Sequence, residues 1–158
     1  MKIIFLDIDG VLNSNKSIIQ FNENGYGGYF NDLPVKETID PLNKLTDLTS
    51  AKIVISSTWR KLHNILSLSY IFYLCGIKAE LIGVTPIVHN VQRGVEIKNW
   101  LESPSIIGGG VTEVTNFVIL DDDSDMEPLM KHFVKIDNRV GLTFNDVNKA
   151  IKILNMEI

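Results

Sequence analysis

Apolar residues are distributed along the chain in two rhythms. Short, densely apolar runs occupy residues 2–6, 51–55, 79–84, 117–120 and 132–136, and runs of this length read as buried strands. Between them apolar residues recur at helical spacing. Ile39, Leu42, Leu45 and Leu48 do so over residues 37–48, Val95, Ile97 and Leu101 over 94–101, and Val147, Ile151 and Leu154 over 143–154. This spacing predicts helices, and two more are expected over 59–74 and 126–131. Thr143 is the expected N-cap of the last helix, although no Glu or Gln stands three residues later to complete a capping box. Strands alternating with helices imply an α/β three-layer sandwich around a mostly parallel five-stranded sheet. Right-handed crossovers follow, and ligands bind beyond the carboxyl ends of the strands where strand order reverses.

Two stretches break the alternation. Residues 13–36 contain Gly25-Tyr26-Gly27-Gly28-Tyr29-Phe30 and many Asn residues, and read either as a small flap over a site or as a surface loop. Residues 103–116, with Gly108-Gly109-Gly110, read as a flexible connection. No repeat or linker divides the chain, so residues 1–158 are expected to form a single domain.

The apolar run of the first strand stops abruptly at Asp7, and Asp9 and Gly10 follow. Two carboxylates that close repel each other unless a cation or a proton intervenes. The pair therefore suggests a metal site, a nucleophile with a proton donor, or both. The fourth strand ends in a similar way, at Asp121-Asp122-Asp123-Ser124-Asp125. These acids suit a hard cation such as Mg²⁺, the alternative being a solvated acidic turn. Neither stretch is a calcium EF-hand loop. Counted from Asp121, the glycine position holds Met126 and the final glutamate position His132; counted from Asp7, the final position holds Ile18. The second strand ends at Ser56-Ser57-Thr58-Trp59-Arg60. Hydroxyls and N–H groups at a strand-to-helix turn can cradle a phosphate, or simply cap the helix. Arg93 and Lys98, near a helix start, could each neutralise a phosphate or lie on a solvated face.

Together these pieces resemble the haloacid dehalogenase (HAD) superfamily of phosphotransferases. The first motif is Asp7-Ile8-Asp9-Gly10-Val11-Leu12, the second is Ser56 after Ile53-Val54-Ile55, and the fourth is Asp121 with Asp122 and Asp125. The third motif normally shows a lysine before a helix; here Arg93 holds that place and Lys98 comes late. The pieces Ser57-Thr58-Trp59-Arg60, Arg93-Gly94-Val95-Glu96-Ile97 and Leu120-Asp121-Asp122 also look like the compact HAD domain associated with multidomain RNA-repair proteins. The resemblance implies a Rossmann-like core with little or no cap. It implies a Mg²⁺-dependent phosphomonoester hydrolase in which Asp7 forms an aspartyl-phosphate and Asp9 acts as acid and then base. It also implies Mg²⁺ held by Asp7, the Asp9 carbonyl and Asp121, with Asp122 or Asp125 acting through water. Ser56, Ser57 and Arg93 or Lys98 would bind the phosphate. A nucleotide or a polynucleotide end is the leading substrate expectation. Tyr26, Tyr29, Phe30 and Trp59 offer rings that could stack on a base, packing being the plainer reading. A small-metabolite phosphatase, a non-catalytic phospholigand-binding module and a phosphomutase are the competing classes. A pure binder has no need of Asp9, and a mutase would want a larger cap.

Composition narrows the field further. The net charge is -4, with no dense Lys/Arg run, which disfavours broad nonspecific binding of nucleic acid. The single cysteine, Cys75, excludes an internal disulfide or a cysteine-based zinc site and reads as a small buried hydrophobe. No signal peptide opens the chain, and the uncharged stretch 64–77 is shorter than the ~20 residues a membrane span needs. A cytoplasmic location is the default expectation.

Overall fold

The computed structural model describes residues 1–23, 33–104, 106 and 113–156, with the backbone alone for residues 20–23. The expected flap over 13–36 lies partly outside these residues, as do Tyr26, Tyr29, Phe30 and the Gly108–Gly110 run. The strands are β1 (Lys2–Leu6), β2 (Lys52–Ile55), β3 (Leu81–Val84), β4 (Asn116–Asp121) and β5 (Phe133–Lys135). They form one sheet in the order β3-β2-β1-β4-β5, with every pairing parallel. The helices are α1 (Asn15–Glu23), α2 (Lys36–Thr49), α3 (Ile65–Cys75), α4 (Arg93–Glu102) and α5 (Phe144–Leu154).

Burial on both faces explains the unbroken apolar runs of the central strands. On one face Ile4, Leu6, Ile53, Ile55, Val118 and Leu120 pack against Leu42 and Leu45 of α2, Leu68 and Phe72 of α3, and Val147 and Leu154 of α5. On the other, Ile3, Phe5, Val54, Phe117 and Ile119 pack against Ile97 and Trp100 of α4 and against Met126. Phe5 meets Trp100 and Phe117 edge to face, with centroids 5.4 and 5.7 Å away, the arrangement ring quadrupoles favour.

The register positions the site. Leu6 of β1 pairs with Ile55 of β2 and with Leu120 of β4. The next residues of these three strands, Asp7, Ser56 and Asp121, therefore stand in one row across the sheet. The ladder continues into that row, because the Asp7 N–H donates to the Leu120 carbonyl and the Ser56 N–H to the Leu6 carbonyl, each at 3.0 Å. Strand order reverses between β1 and β4, so the row lies at the topological switch point.

Four local expectations need correction. Residues 59–74 are not one helix. A 3-10 turn spans Thr58–Lys61, the chain breaks, and the Asn64 side chain then accepts the Ser67 N–H to start α3; Asn is a strong cap and imposes its own helix start. Residues 126–131 do not form a helix either, because a proline disfavours helical backbone at the residue before it, here Glu127; only a short turn at Met130–His132 is helical. The capping box of α5 is present after all. Asp146 fills the place where Glu or Gln was sought, accepting the Thr143 N–H at 3.2 Å while Thr143 Oγ1 accepts the Asp146 N–H at 3.4 Å. Cys75, expected to be buried, is half-exposed at the end of α3.

Gly94 lets α4 approach the loop after β4. A Cβ there would lie 2.5 Å from the Met126 carbonyl carbon and oxygen, and a backbone group cannot rotate away. Gly94→Ala is expected to lower stability by about 2–3 kcal/mol, the scale of other overpacking substitutions. Urea unfolding followed by circular dichroism reads this directly, and an unchanged midpoint would contradict the packing.

Candidate active site

Each strand end in the row contributes a polar group. Asp7 and Asp121 are buried, at 5% and 0% exposure. Asp122, from the loop after β4, joins them, and one carboxylate oxygen from each of the three lies within 4.8 Å of the others. Gly10 makes room for the third. Its φ is +76°, and a Cβ would fall 2.5 Å from the Asp122 carboxyl carbon, so the turn after β1 needs a residue without a side chain. Arg93, the first residue of α4, points its Nη1 at the cluster, 3.1 Å from Asp7 Oδ1 and 3.0 Å from Asp121 Oδ2. The Asn138 side chain donates to Asp122 Oδ2 at 3.2 Å.

The remaining expected site residues are placed differently. Asp9 is exposed, and its carboxylate is held by the Asn13 amide at 2.9 Å and by the Trp59 indole N–H at 3.0 and 3.1 Å from its two oxygens. Its side chain is not one of the three that converge. Asp125 serves the start of α4. Its Oδ2 accepts the Arg93 N–H and its carbonyl accepts the Gly94 N–H, both at 3.0 Å. Lys98 is not brought to the cluster; it lies on an exposed face of α4, 3.7 Å from Glu102. Ser57 caps the 3-10 turn, accepting the Trp59 N–H at 3.3 Å, which is the capping alternative for this segment. Ser56 Oγ, by contrast, is buried beside Asp7 and has no hydrogen-bond partner among the described residues. A buried hydroxyl without a partner is costly and is available to a ligand.

Trp59, Arg60 and Glu96 belong to motif segments of the sequence, but local spacing carries no sign of the Trp59–Asp9 contact or of any role for Arg60 and Glu96 at the site. Arg60 and Glu96 form a buried ion pair, with side chains 3% and 9% exposed. The guanidinium also donates to the carbonyls of Ser56 at 2.7 Å, Ser57 at 2.6 Å and Thr85 at 3.2 Å. Glu96 accepts the Val88 N–H at 2.9 Å. The pair thus ties the loops after β2 and β3 to α4. A spacing of 36 residues between Arg60 and Glu96 carries no local signal; only the fold joins them.

The cluster carries excess negative charge. Burial, and next the charge of Asp7, push the Asp121 carboxyl up to about 7, with Arg93 acting in the opposite direction. Burial also pushes Asp122 up. Three hard oxygen donors converging at a buried point, with their charge only partly offset by Arg93, could hold a divalent cation.

A family model described as the HAD domain in Swiss Army Knife RNA repair proteins matches residues 3–147. Comparison with curated proteins and with solved structures gave no match. No helix among the described residues is long and apolar enough to cross a membrane.

The Asp121 shift has a defined sign. Its folded value of about 7 stands above the ordinary 3.8. As pH rises from near 4, the unfolded chain gives up this proton first, so the group's contribution to stability is lost between about 4 and 7. Without divalent ions, the wild-type melting temperature is expected to fall more over that window than that of Asp121→Asn. At pH 8 the variant should melt a few degrees higher. Added divalent ion should raise the wild-type midpoint and hardly move the variant. Thermal scans at pH 5, 7 and 8, with and without the ion, check all three outcomes.

Proposed function

Because the chain belongs to the family of HAD domains found in Swiss Army Knife RNA repair proteins, we propose that it is a Mg²⁺-dependent phosphomonoester hydrolase acting on nucleotides or polynucleotide ends. The observation that carries this reading is the convergence of Asp7, Asp121 and Asp122 with Arg93 against them and the unpaired Ser56 hydroxyl alongside. Residues 1–158 act as one catalytic unit in this reading. Residues 13–36, helical over Asn15–Glu23, are the candidate cover, and the described residues hold no larger insertion.

Asp7 is the nucleophile. A bond from its carboxylate oxygen to phosphorus replaces the bond to the leaving oxygen. Asp9 gives that oxygen its proton, then takes one from the water that cleaves the aspartyl-phosphate and regenerates Asp7. Its separate placement suits this task. Asn13 and Trp59 hold it outside the group of three carboxylates. Asp7, Asp121 and Asp122, with the Asp9 carbonyl, would hold Mg²⁺, which offsets the like charges of nucleophile and phosphate. Ser56 Oγ, the Ser57 N–H and Arg93 bind the phosphoryl oxygens. Arg93 takes this role rather than Lys98, whose side chain lies with Glu102 on the exposed face.

Hydrolysis of p-nitrophenyl phosphate should require Mg²⁺ and stop on chelation. Asp7→Asn is expected to lower kcat by at least ~1000-fold with the fold intact; near-normal turnover by this variant would rule out the covalent route. Asp9→Asn should cost about 100- to 10,000-fold and flatten the pH profile, in keeping with loss of a general acid–base. A pH profile and rate equal to wild type would remove Asp9 from proton transfer.

A further inference from the structure

Two cavities meet at Asp9 and Thr58. The acidic cleft, with Asp7, Asp122 and Arg93 in its lining, includes both residues. So does a second cavity of about 570 Å³. Beyond that shared edge the second cavity is walled by Leu33, Trp59, Leu62, His63 and Ile71. The rings of Trp59 and His63 lie against each other, with centroids 5.4 Å apart and planes at 42°. Leu62 is 82% exposed at the rim. Among the described residues, Asp9 is the one carboxylate in this lining, and no Lys or Arg enters it. A different depression of about 230 Å³, on the Arg93 side of Thr58, collects Arg60, Lys61, His89 and Arg93.

We propose that the apolar cavity seats the leaving nucleoside of the substrate, with the base against Leu62 and the Trp59–His63 pair; this rests on the phosphatase reading above. A proton donor must face the oxygen that departs, and that oxygen carries the rest of the leaving group. Asp9 is clamped by Asn13 and by the indole of Trp59, itself a wall of the cavity. The leaving group therefore extends to the Trp59 side of the site. The walls there reward a flat, uncharged ring system and give no compensation to a second anion. A nucleoside fits this chemistry; an acidic metabolite or a diphosphorylated sugar does not. The volume is within the range of small-ligand cavities. Trp59 thus has two tasks, positioning Asp9 and contacting the base, and Leu62 is a specificity-determining residue outside the reacting groups.

The test compares adenosine 3′-monophosphate with glycerol 3-phosphate, in the presence of Mg²⁺, on wild type, Leu62→Asp and Leu62→Met. Wild type should show kcat/KM at least ~10-fold higher for the nucleotide, the scale of one base–aromatic contact. Leu62→Asp should abolish that preference through KM, leave glycerol 3-phosphate within about twofold, and be rescued by Leu62→Met. The exposure of Leu62 means that neither change endangers the fold. Binding is read separately on Asp7→Asn, where the nucleotide should quench tryptophan fluorescence and glycerol 3-phosphate should not. Equal wild-type rates on both esters, or an equal loss on both in Leu62→Asp, overturns the proposal while leaving the phosphatase reading intact. If neither ester is hydrolysed, the phosphatase reading fails. Quenching that Leu62→Asp abolishes then still supports the cavity as a nucleoside site, and absence of quenching sinks it. A 3′-phosphorylated oligoribonucleotide identifies the source. Faster turnover than the free nucleotide points to polynucleotide ends, and slower turnover to mononucleotides, the base occupying the same cavity in both cases.

Discussion

Repulsion between buried carboxylates is the constraint around which the rest of the structure is arranged. Parallel pairing in one register sets Asp7 and Asp121 side by side past the Leu6–Leu120 pair, and the glycine turn after β1 admits Asp122. The carboxyl ends of these central strands offer little water to screen the charges of Asp7 and Asp121, which are 5% and 0% exposed. The fold answers with Arg93, and the pull of burial and of Asp7 on the Asp121 proton shows that one guanidinium leaves the balance incomplete. A divalent ion would complete it. The row that makes the site expensive to fold is also what would give it affinity for a cation.

The second cation, Arg60, has a different task. Its partner Glu96 neutralises it, and its remaining donors hold main-chain carbonyls of the loops after β2 and β3. Turning the Ser56 and Ser57 carbonyls toward Arg60 commits that loop to one conformation, with the Ser56 hydroxyl left over. Trp59, one residue earlier, fixes Asp9. Adjacent residues of a single 3-10 turn thus order both the proposed phosphate cradle and the proposed proton carrier.

Much of this was legible along the chain. Strands buried on both faces write themselves as apolar runs, so the sheet and the polar residues at its end could be read directly, and the family match agrees with the family resemblance drawn from them. Less legible was anything decided by where a side chain points. Lys98 and Arg93 belong to the same helix, but five residues of helical rotation send one to solvent and the other to the cluster. Asp125 is expected to act on the ion through water; the sequence carries no sign that one of its carboxylate oxygens also satisfies a free N–H at the start of α4. The break before α3, missed in the expectation of one helix over 59–74, had a local signal in Asn64, a strong cap residue. The pairing of Trp59 with Asp9 spans 50 residues and has no trace in local pattern.

The start of α4 is bolted to the acidic loop twice, through the Asp125 side chain and the Asp125 carbonyl, and Gly94 brings the two backbones into contact. Negative and positive charge in the site therefore travel together on one mechanical unit. A family built on this plan is not free to lengthen the turn after β4 without displacing its arginine. It is free to lengthen the connection that leaves α4 at Glu102 and enters β4 at Asn116, because that connection enters at the opposite end of the sheet. Variation in length among relatives should accumulate there, and fusion of other domains should be tolerated there first.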